Sequence, residues 1–181
     1  MAVYKIDPLH SVIGFRVKHM MISNVNGNFN DFDATMVSDT DDFTDAKITF
    51  ECDVNSISTN ISDRDAHLKS DDFFSAENYP KINFVSTKII KNDDDYKIKG
   101  LLTIKGIEKE VELKAEYGGN DVDLYGQTKF GFEMEGAIKR SEFGLSFNML
   151  SGKGNALVND EIKLLISIQM MLNNENIEEN A

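Results

Sequence analysis

From residue 11 onward the chain alternates apolar and polar positions, run after run, with short polar breaks between. A two-residue period sends successive side chains to opposite faces, so the pattern predicts half-buried antiparallel strands. Residues 11–20 place Ile13, Phe15, Val17 and His19 on one face, with Arg16 and Lys18 on the other. Residues 28–37 carry Phe29, Phe32 and Met36, and their change of phase predicts a bulge. Further strands are predicted over 46–54, 81–90, 96–105, 108–117, 128–140 and 161–172. The breaks Asn92-Asp93-Asp94-Asp95, Lys105-Gly106 and Gly118-Gly119-Asn120 read as hairpin turns.

Residues 60–84 break the alternation. Ser62 with Asp65 three residues on is the start of a capping box, and the stretch to Lys69 suits a short helix. Phe73-Phe74 follows, and Tyr79-Pro80 returns the chain to a strand. The fold class expected is therefore all-β: about eight antiparallel strands closed into a barrel, with one short helix after the early strands. The inward phases are Phe15, Val17, His19, Phe50, Phe84, Leu102, Phe130, Phe132, Met134, Ile166 and Ile168, the expected lining of a ligand tunnel. A lining this apolar calls for an apolar ligand. Residues 141–159 form the longest irregular stretch and read as a flap.

Composition narrows the classes. The 181 residues fit a single domain, taken as 1–173, followed by a polar acidic tail over 174–181 expected to be disordered. Twelve Phe and eight Met without Trp suit an adaptable apolar wall or a packed core. A net charge of -12 argues against nucleic acid and against passive adhesion to anionic membranes. No apolar run reaches spanning length, so stable membrane insertion is not expected. The first residues lack a hydrophobic leader, which gives a cytoplasmic expectation; a removed leader would make it periplasmic. The single cysteine, Cys52, lies in phase with Ile48 and Phe50 and reads as a buried structural thiol.

Little in the chain suggests catalysis. His10 and His19 have opposite side-chain phase unless a bulge intervenes, so they are not expected to share a metal, and no nucleophile-elbow sequence is present. The expectation is no enzyme, no metal and no cofactor beyond a bound apolar lipid. The aspartates over 39–42 and 93–95 lack the spacing of calcium loops and read as solvated turns. His19 and Arg140 are the candidates for a barrel mouth or a ligand head group. His19 reads equally as a satisfied core histidine, and Arg140 as a structural pair with Asp65 or Glu142.

Six blocks carry a resemblance along nearly the whole chain. They are Ile6-Asp7-Pro8-Leu9-His10-Ser11 running on to His19, Val25-Asn26-Gly27-Asn28-Phe29 running on to Asp33, and Arg64-Asp65-Ala66-His67-Leu68. Then come Asp72-Phe73-Phe74 leading to Tyr79-Pro80-Lys81-Ile82-Asn83-Phe84, Gly100-Leu101-Leu102-Thr103-Ile104-Lys105-Gly106, and Ile138-Lys139-Arg140-Ser141-Glu142-Phe143-Gly144-Leu145. In this order they resemble the YceI-like family, the lipocalin-like polyisoprenoid-binding proteins of bacteria. The resemblance implies an extended eight-stranded lipocalin-like barrel, often a homodimer, binding a long-chain isoprenoid, quinone tail or fatty amide. Many family members carry a signal peptide, from which this chain departs. The function expected is non-catalytic binding, transport or storage of such a lipid. The alternative is a stress-response or protein-interaction module whose barrel is filled. The acidic surface favours a neutral head group over a diphosphate.

Overall fold

The structure, a computed structural model, describes residues 1–176. Eleven strands make one continuous antiparallel sheet: β1 (Ala2–Ile6), β2 (Val12–His19), β3 (Ser23–Phe29), β4 (Phe32–Ser38), β5 (Lys47–Asp53), β6 (Ile57–Ser58), β7 (Lys81–Asn92), β8 (Asp95–Ile104), β9 (Ile107–Val122), β10 (Thr128–Lys139) and β11 (Val158–Leu172). Eight of them follow one another in the order β1-β4-β5-β7-β8-β9-β10-β11, and β11 returns to pair with β1 through Tyr4↔Leu172 and Ile6↔Met170. That pairing closes the barrel and leaves no free sheet edge in the ring.

The remaining three strands extend existing staves. β2 continues β1 after a 3-10 turn at Pro8–His10 and pairs with the other half of β11, Ile13 opposite Ile166. β3 and β4 are one stave broken at Asn30 and Asp31, the phase change that the sequence predicts as a bulge. β1 itself has no counterpart among the predicted strands, because five residues are too few to display a period.

α1 (Ser62–Lys69) forms where expected, but without the expected capping box. Its N-cap is Ile61, which has no side-chain oxygen to offer; Asp65 instead reaches back to accept from Thr59 N–H at 2.8 Å and from the Thr59 hydroxyl. The Gly118-Gly119 pair is likewise a bulge and not a turn. β9 runs on past it, with Gly119 (φ 102°) opposite Gly131 and the register shifted at Phe132. The turn comes later, where the Asp123 carboxylate accepts from the N–H groups of Tyr125 and Gln127, both at 2.9 Å. Of the tail expected over 174–181, Asn174–Asn176 form a 3-10 turn and the rest lies outside the described residues.

Candidate binding cavity

The alternation that defines each strand also sorts its side chains, and the inward set encloses a cavity of about 240 Å³. Phe15, Val17, Phe50, Phe84, Leu102, Phe130, Phe132, Met134, Ile166 and Ile168 all border it. Arg140 borders it as well. His19 does not: it shares the phase of Phe15 and Val17 but stands half-buried at the end of β2, opposite Val158 and Ser23. The wall is otherwise aliphatic and aromatic side chains with the sulfurs of Met36, Met134, Met170 and Cys52. An engineered apolar cavity of ~150 Å³ stays dry and admits benzene, so this space is large enough for an apolar guest.

One end of the barrel is closed by rings. Phe43 stacks on Phe130 with centroids 4.8 Å apart, Tyr4 meets Phe130 edge-on at 5.0 Å, and Tyr96 and Tyr117 meet Phe132 at 5.4 and 5.2 Å. The Tyr96 hydroxyl donates to Asp42 O at 2.9 Å, which ties the β4–β5 loop down over the cluster. Burial pushes the Tyr4 phenol above its ordinary pKa, with the Asp41 charge adding to the effect. Phe43 was not among the expected lining residues, since it lies in a polar loop outside any alternating run. The signal available was a lone Phe between Asp41-Asp42 and Thr44-Asp45, with no reason to be apolar unless it turns inward.

The other end is closed by α1, the loop after it and the long connection from β10 to β11. Leu68, Phe73 and Phe74 reach the cavity from this side. The His67 ring lies edge-on to Phe73 at 5.0 Å and to Phe147 at 5.1 Å, and its Nε2 is 2.8 Å from Asp72 Oδ2. Arg64 donates to the Thr59 hydroxyl at 2.7 Å and to Thr59 O at 2.8 Å. The helix is thus held against the barrel rather than lying as a free solvated face.

Arg140 fastens the connection. It is 5% exposed and opens the 3-10 turn Arg140–Phe143. Its Nε donates to Asn159 O at 3.0 Å, its Nη1 to Leu145 O and to Phe147 O at 2.9 Å, and its Nη2 to Val158 O at 3.2 Å. Four of the guanidinium's five N–H groups are therefore taken by carbonyls. The expected pairs with Asp65 or Glu142 do not form, and little donor capacity is left for a ligand's head group. Burial lowers the pKa of Arg140, and the charge of Asp160 acts in the opposite direction.

The remaining chemistry is dispersed. Cys52 is 1% exposed, and burial pushes its thiol up to about 12, the reverse of what a nucleophile needs. His10 is bound to Asp7 and His67 to Asp72, while His19 stands apart on β2. Among the described residues, no group of three His, Cys, Asp or Glu side chains is placed to hold a metal ion.

A closed antiparallel barrel around an apolar hollow defines a lipocalin-like binding architecture. The chain belongs to the YceI-like family: the YceI-like domain matches residues 4–170. A UPF0312 protein of Pectobacterium atrosepticum is 36% identical over 170 residues, covering 93% of this chain and 85% of that protein. The crystal structure of Burkholderia cenocepacia BcnA is similar with a TM-score of 0.78 at 24% identity, over 91% of this chain and 98% of that one. A polyisoprenoid binding domain from Saccharophagus degradans, implicated in plant cell wall breakdown, is similar with a TM-score of 0.68 at 11% identity, over 94% and 98% of the two chains. Both structural likenesses show the barrel fold. None of these names states a catalytic activity.

Proposed function

We propose that the protein binds a long-chain apolar lipid, an isoprenoid or fatty chain with a neutral head group, inside the barrel and carries or stores it without catalysis. The observation that carries this reading is the cavity: about 240 Å³ bordered by apolar side chains and one cation already engaged by protein carbonyls. The family relationship and the likeness to a polyisoprenoid binding domain support the ligand class. Burial supplies the energy, at ~0.8 kcal/mol for each CH₂ removed from water. Ten carbons give a gross ~8 kcal/mol before ordering and association costs. A chain therefore binds through its tail, and the head group sets only its orientation. With four of its five N–H groups already engaged, Arg140 disfavours a diphosphate, which needs free donors.

The test is native mass spectrometry of the purified protein, with extraction and identification of any released lipid. A stoichiometric apolar adduct is the expected result. A clean apo mass, unchanged after incubation with prenyl alcohols, quinones and fatty amides, would sink the reading and point to a filled barrel.

A further inference from the structure

The cavity reading leaves unexplained an apolar tip at the α1 end of the barrel. Met20, Met21 and Ile22 form the β2–β3 turn, and Ile22 is 82% exposed. The turn is joined to the β10–β11 connection, with Met20 N–H donating to Leu157 O at 2.8 Å and Leu157 N–H to Met149 O at 2.9 Å. Leu150, bridged to Ala156, is 71% exposed, and Met149 is exposed beside it. Water-facing turns favour polar residues and glycine. Here Met20 (φ 54°) and Met21 (φ 61°) both take the left-handed conformation, where a side chain is strained. Bulky apolar residues at the cost of backbone strain need a use.

The charge around the tip departs from that of the molecule. The chain has 31 acids against 19 Lys and Arg, yet residues 8–30 and 143–159 contain none of those acids. They contain Arg16, Lys18 and Lys153, all three exposed. No ion pair among the described residues uses any of the three. The acids nearest the tip flank these segments: Glu142 in the 3-10 turn, Asp160, which accepts from Ser141 N–H and its hydroxyl, Glu161 on β11, and those of α1 and the loop after it, which meet the connection at Phe147. An acidic protein thus carries one apolar point built from two acid-free segments, with the exposed Lys18 and Lys153 on them.

We propose that this tip docks reversibly on a bilayer surface bearing anionic head groups, with Met21, Ile22 and Leu150 entering the interface and Lys18 and Lys153 facing the lipid charge. Apolar side chains on a basic rim are the pattern of interfacial binding. A second copy of the chain is the competing occupant, and charge argues against it. A twofold contact presses a patch onto itself, which here sets basic residues against basic residues. The -12 net charge still repels an anionic membrane from the rest of the surface, so the tip also orients the molecule.

The experiment is cosedimentation of the protein with vesicles of phosphatidylcholine alone and of phosphatidylcholine mixed with phosphatidylglycerol. At low salt the protein should pellet with the mixed vesicles, poorly with neutral ones, and be released as salt screens the rim. Lys18→Gln and Lys153→Gln should each weaken binding about fivefold, and Ile22→Asp should abolish it. Leu124→Asp, fully exposed on the β9–β10 turn at the opposite end, should change nothing. All four positions are exposed, so thermal melts should match wild type. No pelleting, equal effects of Ile22→Asp and Leu124→Asp, or a dimer on light scattering that Ile22→Asp splits would overturn the proposal. No lipid cargo enters the assay, so its failure leaves the cavity reading standing.

Discussion

Arg140 is a buried cation whose hydrogen-bond partners are carbonyl oxygens of Leu145 and Phe147 in the β10–β11 connection and of Val158 and Asn159 at the start of β11. Carbonyls neutralise it by dipoles, and removing it takes away the side-chain donor of Leu145 O, Phe147 O and Asn159 O, while Val158 O keeps Asn148 Nδ2 at 2.8 Å. Arg140→Met should destabilise the protein by about 3 kcal/mol, read as a lower denaturant midpoint, and should speed amide exchange over residues 145–159 before the strands. Asp7 holds a different joint. Burial raises its carboxyl pKa, but hydrogen bonds from His10 and Leu9 N–H, and the charges of His10 and Lys129, outweigh that and leave it below the ordinary value. It also accepts from Gln169 Nε2 at 3.1 Å, which pins the β1–β2 break to β11. A folded-state pKa lowered in this way contributes stability above the unfolded value, and loses it as pH falls through the folded one. Asp7→Asn should therefore melt lower than wild type at neutral pH. The gap between the two should close on acidification from about pH 4 downward, measurable as paired melting curves.

At the scale of elements, the packing of glycines against rings is as specific as the strand pattern. A Cβ at Gly27 of β3 would stand 2.3 Å from Phe15 Cζ, so Gly27→Ala should push that ring inward and lower the amount of apolar adduct seen by native mass spectrometry. A melt measured alongside should fall only slightly if the ring has room to move into the hollow. The long strands were legible because one face is buried throughout and the period is unbroken, as in β10 from Phe130 to Met134. The misreadings occur where pairing partners, not local sequence, decide the conformation. β1 is a strand because β4 and β11 flank it, and Gly118-Gly119 is a bulge because β10 continues opposite it. Ten of the eleven expected inward positions border the cavity because phase sorts them, whereas His19 keeps the phase but lies past the cavity at the end of β2. Phe43 and the partners of Arg140 do not follow from phase, because both depend on how irregular segments fold over the barrel ends.

For the whole molecule, the ring cluster sets how much of the barrel is hollow. Phe43 reaches in from the β4–β5 loop and stacks on Phe130, so the cavity ends there rather than running the barrel's full length. Phe43→Ala should lengthen it at a stability cost of about 3–5 kcal/mol. The variant should shift the adduct profile toward longer chains, and an unchanged profile would mean that chain length is set elsewhere. The barrel seam has a further consequence. β1 and β11 meet only across nearly the whole length of the chain, Ile6 against Met170. A partial chain that has not yet reached residue 170 lacks the partner of Ile6 and cannot close this seam. The enclosed interior therefore requires the last strand. Cargo bound before that pairing forms would be sealed in by it.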